Sequence, residues 1–232
     1  MADLKANMPG IAVPSAELKK WGAKWLTGNN FGKKDGMDFG KLFDTAVANA
    51  LAEMLGGIKV DEPTSTALLP DVPDCVELGN TRIVGGIRPQ NFDVAYRPDG
   101  VRFAFDSKTL NDKRSIPKNW QNMINDLATE ASTVHTRFPY AVVAFMVIVP
   151  EPALNEGQRR GLLRTLERMA TRKHVNDETH LAEAISLVVW NPRAGAISRT
   201  TPDSSSHLHI GRFSEIVFAR YVERYKGLPP HD

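Results

Sequence analysis

Asn91-Phe92-Asp93-Val94-Ala95-Tyr96-Arg97-Pro98-Asp99-Gly100-Val101-Arg102-Phe103-Ala104-Phe105-Asp106-Ser107-Lys108 sets two apolar-rich runs on either side of Arg97-Pro98-Asp99-Gly100. Proline suits the second position of a β-turn and glycine the fourth, so the stretch predicts a β-hairpin. If the turn pairs Tyr96 with Val101, Asp93 lies opposite Ala104 and diagonal to Asp106, roughly 7–8 Å away at Cα. Period-two alternation puts Asp93, Ala104, Asp106 and Lys108 on one face and Val101, Phe103 and Phe105 on the other. Two carboxylates and an amine therefore converge at the open end of the hairpin. Such a cluster suits a hard cation such as Mg²⁺, which takes oxygen ligands and typically one or two carboxylates, leaving its other positions to water and phosphate.

The spacing of Asp93, twelve intervening residues and then Asp106-Ser107-Lys108 resembles the core motif of the PD-(D/E)xK nuclease superfamily, which includes many type II restriction endonucleases. The match begins with Phe92-Asp93 rather than Pro-Asp. The resemblance implies an α/β fold with a restriction-endonuclease-like αβββαβ core, a mixed β-sheet flanked by helices, over about residues 38–150. It further implies that Asp93 and Asp106 hold Mg²⁺, that the Ser107 main-chain carbonyl completes the shell, and that Lys108 positions or activates the attacking water. Members often add an acid from the first core helix. Asp44, which follows Gly40 in a Gly-x-x-x-acid pattern, is the first candidate, with Glu53 and Glu77 as competitors. The expected activity is hydrolysis of phosphodiester bonds in double-stranded DNA, most like a type II restriction enzyme working as a homodimer. A repair, recombination or phage nuclease, and an inactive nuclease-like DNA-binding protein, are the alternatives.

Composition is compatible with that reading without demanding it. The chain has 232 residues, 42% hydrophobic and 24% charged, which predicts one globular domain. Residues 1–37 and 151–232 are expected to be recognition and dimerisation additions. No apolar run is long enough to span a bilayer, the N-terminus lacks a secretory apolar segment, and Cys75 is the only cysteine, which together point to the cytoplasm. A net charge of +2 is too small to identify a polyanion partner, so local clusters matter. One cluster follows the hairpin: Lys113, Arg114, Lys118, Asn119, Gln121 and Asn122 mix phosphate-seeking cations with amides able to read base edges. Another is a predicted helix over 158–173 with Arg160, Arg164, Arg168 and Arg172 four residues apart, as fitting for a solvated face as for phosphates.

Around these motifs the periodicity predicts a helix over Ala16 to Leu26 carrying Trp21 and Trp25. A second, capped by Asp38, has the stripe Phe39, Leu42, Phe43, Ala46, Val47, Ala50, Leu51, Met54 and Leu55 and ends at Gly56-Gly57. Asp44 and Glu53 lie off that stripe, where a solvated role is the default. A Pro-rich irregular connection over 61–74 leads to a strand within Thr81 to Gly85. After the hairpin, a helix from about Lys118 to Val134 precedes a strand over Tyr140 to Val149. Its apolar run is continuous, predicting burial on both faces. A strand over Ile185 to Trp190 and a helix over Ser214 to Tyr225 close the chain. His207 and His209 lack the companions of a metal site. No Gly-Lys-Ser/Thr loop or dinucleotide fingerprint is present, so no nucleotide cofactor is expected.

Overall fold

The computed structural model describes residues 4–64, 69–70 and 72–231. Its framework is a seven-stranded mixed sheet in the order in which the strands occur: β1 (Lys59–Asp61), β2 (Cys75–Val84), β3 (Pro89–Tyr96), β4 (Phe103–Thr109), β5 (Val142–Pro150), β6 (Ala184–Asn191) and β7 (Ala196–Ile197). The helices are α1 (Ser15–Gly28), α2 (Lys33–Met54), α3 (Ile116–His135), α4 (Glu156–Met169) and α5 (Ile210–Tyr225). Strands β2, β3 and β4 form an antiparallel meander, while β4, β5 and β6 run parallel because α3 and α4 carry the chain back between them. The segment from α2 to β5 thus has the element order α, β, β, β, β, α, β, the short β1 preceding the three strands of the meander. Part of the predicted irregular connection, residues 65–68 and 71, lies outside the described residues.

Each face of the sheet is covered by helices, so the core has two layers. On one side Phe39, Phe43 and Val47 of α2 and Phe213, Val217 and Tyr221 of α5 pack against Phe103, Phe105, Ala144 and Trp190. On the other, Leu127, Ala131 and Val134 of α3 and Leu162 and Leu166 of α4 cover Ala104, Val143, Phe145 and Val147. Strand β5 is buried along its whole length, as its unbroken apolar run requires. Trp25 of α1 is fully buried and donates its indole N–H to the Asn111 carbonyl at 2.6 Å. The segments before and after the expected core are therefore built into it: β6 extends the sheet and α5 closes one layer. Among the described residues no helix is long and apolar enough to cross a membrane.

Several boundaries differ from the expectation for identifiable reasons. The hairpin pairs Tyr96 with Phe103, not Val101, leaving residues 97–102 as its connection. Val101 packs into the α3-side core, and Arg102 turns inward to ion-pair with Asp99 at 2.6 Å and to lie over the Tyr225 ring at 4.7 Å. Gly100, at φ +140°, supplies the conformation that this wider loop needs. The register moves by two residues, so the side chains of β4 keep their faces, whereas Val101, expected on the face of Phe103 and Phe105, packs on the opposite side with Ala104. Helix α2 starts at Lys33 rather than at an Asp38 cap, with Gly32 at its N-cap. Helix α4 ends at Met169, so Arg172 is not on the arginine stripe. It is buried and bonds Glu183 at 2.6 Å, while Arg160, Arg164 and Arg168 stay exposed. His209 caps α5, its Nδ1 accepting the Gly211 N–H at 3.1 Å.

Candidate active site

The β3–β4 ladder stops at Val94↔Phe105, and the two strands part there. Continuing the same register puts Asp93 directly across from Asp106, closer than the diagonal relation expected from a tighter turn. A bulge in β2 lies beside this opening: Leu78 pairs with Val94 and Thr81 with Phe92, so Gly79 and Asn80 together face the single residue Asp93. Gly79 has φ +134°. Such an insertion bends the sheet and re-aims the side chain opposite it. Where ladder bonding ends, the Asp93 carboxylate replaces it, Oδ2 accepting the Ser107 N–H at 3.0 Å. The N–H and C=O of a strand residue leave by the same edge, so the Ser107 carbonyl also turns toward the gap.

Six side chains gather at this break. Asp93 and Asp106 stand within hydrogen-bonding reach of one another. The Ser107 hydroxyl lies 3.4 Å from Asp93 Oδ2 and close enough to Asp44 to lower its pKa. Lys108 bonds Asp106 on its own strand and Glu130 on α3, the latter at 2.8 Å. Gln90 steadies Glu130 from β3 at 3.1 Å. Asp44, Asp106 and Glu130 are each less than a tenth exposed.

Burial sets the electrostatics. It pushes the Asp93 carboxyl far above the ordinary carboxylate range, with the hydrogen bond to Asp106 and the charges of Asp106 and Asp44 adding to the effect. Asp44 rises to about 7, chiefly through burial, against the lowering effect of the Ser107 hydroxyl and with the Asp106 charge adding to the rise. Glu130 rises to about 8, again from burial and then from Asp106, against the opposing influence of Lys108. For Lys108 burial opposes the charge, yet the Asp106 and Glu130 carboxylates prevail and hold the amine above its ordinary value. A lysine acting as a base needs the opposite shift, so here Lys108 keeps its proton.

Asp44, Asp93 and Asp106 form the floor of a cleft of about 640 Å³ walled by α2, the β2 bulge and the start of α3, and Lys108 and Glu130 do not line it. Of the three candidates for an additional acid, only Asp44 reaches it. The expectation that Asp44 sits on a solvated face is corrected by its neighbours at i−8, i−4 and i+4, Gly36, Gly40 and Ala48, which widen the buried face of α2. A Cβ on Gly40 would lie 3.2 Å from Ser107 Oγ, so the missing side chain is what lets the helix approach β4. Glu53 is exposed elsewhere on α2, and Glu77 is buried in a bidentate pair with Arg97, with both contacts at 2.6 Å. Of the predicted DNA contacts, Asn119 lines the cleft, while Lys113, Arg114, Lys118 and Gln121 are exposed on the loop and helix beside it. Glu130 was not singled out by sequence. The signal was present, because an acid at i+7 from Met123, i+3 from Leu127 and i−4 from Val134 falls on the apolar stripe.

Among the described residues no group of three or more His, Cys, Asp or Glu side chains forms a ready-made metal cage. Mg²⁺ asks for less, since one or two carboxylates with water and phosphate suffice. The residues at the break fit such an ion on two counts. Asp44 Oδ1 is buried with no hydrogen-bond partner, and Asp93 and Asp106 are held so close that a shared proton, or a cation in its place, is needed between them. Compared with known proteins, the chain matches no family model, no curated protein and no solved structure.

Proposed function

We propose that this chain is a Mg²⁺-dependent endonuclease acting on double-stranded DNA, on the plan of the PD-(D/E)xK superfamily and its αβββαβ core. The observation that carries the reading is the convergence of Asp93 and Asp106 where β3 and β4 part, with Lys108 two residues along the same strand. Asp93 and Asp106 are the residues that would hold the cation, with Asp44 and the Ser107 carbonyl as supplementary oxygens. A divalent cation bound there would stabilise charge on the phosphate and lower the pKa of bound water. Lys108, fixed by Asp106 and Glu130, presents a protonated amine that orients the attacking water or steadies phosphate charge. The Ser107 N–H and hydroxyl hold the Asp93 carboxylate. Lys113, Arg114, Lys118, Asn119 and Gln121 belong to the proposed DNA footprint as phosphate and base contacts flanking the cleft.

The finer reading is a type II restriction enzyme. Two copies related by a two-fold axis would present one site to each strand of a palindromic target. Sedimentation with and without duplex DNA, read alongside the products, tests this part: a monomer in both conditions that only nicks would remove the symmetric scheme. The chemistry is tested by incubating the protein with mixed-sequence duplex DNA and Mg²⁺ and sequencing the fragment ends. Discrete cleavage is expected, absent with EDTA and absent in Asp106→Ala, which should still bind DNA because its recognition surface is intact. Folded protein that leaves DNA uncut under these conditions, or an Asp106→Ala variant that cuts like the parent, would overturn the assignment.

A further inference from the structure

The wall of the cleft formed by α2 has a composition that the metal site does not account for. Lys33, Met37 and Lys41, spaced at i, i+4 and i+8, all line it, just ahead of Asp44 on the same helix. Both lysines are exposed, and Met37 is 64% exposed. Across the cleft stand the amides of Asn80 and Asn119. The other charged residues lining it are Asp38 and Asp112 at the rim and Asp44, Asp93 and Asp106 at the floor. With a divalent cation on the floor acids, the two lysines remain as the mobile positive charges of the slot. The arginines of α4 do not line it.

We infer that this α2 face is the wall along which one DNA strand lies as it approaches the acids, Lys33 and Lys41 holding its phosphates and Met37 pressed against a sugar or base step between them. The inference rests on the nuclease reading and names the surface by which that site takes its substrate. Helical rise separates the two lysines by about 12 Å. Along a duplex each strand carries a phosphate every ~3.4 Å of axis, so the pair spans about three to four nucleotides. An exposed thioether between two cations is the apolar wedge that DNA-binding surfaces insert at a base step. The facing asparagines offer the donor and acceptor pair that can read a base edge.

The test is anisotropy of a labelled duplex over a series of KCl concentrations, with Ca²⁺ replacing Mg²⁺ as an oxygen-seeking cation. All three residues are exposed, so their variants should fold. The double variant Lys33→Ala/Lys41→Ala should lower the slope of log K against log salt by about two, one for each phosphate contact. Met37→Ala should weaken binding about tenfold at every salt concentration with the slope unchanged. The triple variant Arg160→Ala/Arg164→Ala/Arg168→Ala should leave the slope at the parental value. An unchanged slope in the lysine double variant overturns the wall, as does an equal loss of slope when polyglutamate replaces DNA, which would make it a general polyanion surface. Failure of the nuclease reading looks different: a protein that binds duplex DNA through this wall but never cuts it in Mg²⁺ leaves the wall standing and removes the chemistry.

Discussion

Two clusters of buried charge lie along the parallel strands, and they are solved in opposite ways. At the amino end of β6, Glu183 has no exposed side-chain surface, and its oxygens receive Arg172 at 2.6 Å, Arg224 at 2.8 Å, His135 at 3.1 Å and the Val143 N–H at 2.8 Å. Burial alone would push that carboxyl up, but the His135 ring, the Arg224 guanidinium and the backbone N–H outweigh it and hold the pKa at about 2. In the carboxyl half of β4 the proportions are reversed. Of Asp44, Asp93, Asp106 and Glu130, Asp106 and Glu130 ion-pair with Lys108, Asp44 and Asp93 have no ion pair among the described residues, and oxygens of Asp44 and Glu130 have no hydrogen-bond partner. A fold that can neutralise one buried acid so completely has left several others short of positive charge. The first cluster is neutralised from within; the second keeps an excess of buried acid over cation, the imbalance by which candidate functional sites are recognised.

The largest effect that would break this contrast is on the satisfied side. Glu183→Ala leaves two arginines without their common partner and should cost about 3–5 kcal/mol in urea unfolding. A loss below about 1 kcal/mol would mean that the network is not structural. The pH dependence of stability should sharpen the contrast further, because the two clusters work with opposite sign. Glu183 titrates below its ordinary 4.5, near 2, so its contribution is present above pH 4.5 and fades as pH falls through that interval. Asp44 and Glu130 are shifted from 3.8 to about 7 and from 4.5 to about 8, so their neutral forms favour the folded state at low pH and that stability is lost as pH rises through those intervals. In EDTA, unfolding free energy should therefore decline between about pH 5 and 8, Asp44→Asn should flatten the decline, and Mg²⁺ should restore most at the alkaline end. A decline that neither Mg²⁺ nor Asp44→Asn alters would separate the site acids from it. The smallest effect belongs to Ser107→Ala, which removes a neutral donor from between Asp93 and Asp44. About 0.5–1.5 kcal/mol is expected in the same unfolding assay, and a cost as large as that of Glu183→Ala would show that the site acids are as fully satisfied as Glu183.

Local chemistry settled part of this arrangement before any long-range contact formed. Alternation along Ala104 to Lys108 dictates that Asp106 and Lys108 share a face, and the spacing to Asp93 across one connection dictates that the second acid returns to the same end. Because a side-chain period of two survives a register change of two, the convergence held when Tyr96 paired with Phe103 instead of Val101. The long apolar stripe of α2 and the doubly buried β5 were legible for the same reason, since each follows from one element's own periodicity.

What depended on packing between elements was decided only in three dimensions. Asp44 ranked ahead of Glu53 and Glu77 only by its spacing from Gly40, and the three separated once Gly36 and Gly40 let α2 close on β4 and Arg97 claimed Glu77. Arg172 left its stripe for the same kind of reason: a helix ending at Met169 carried it within reach of Glu183, from a different segment of the chain. Glu130 met Lys108 only because α3 lies over β4, and the protonation of Lys108 follows from that meeting. Periodicity tells which face of its own element a side chain occupies, whereas the partner on that face, and with it the balance of charge and burial that makes a site, is set by which elements come to lie against one another.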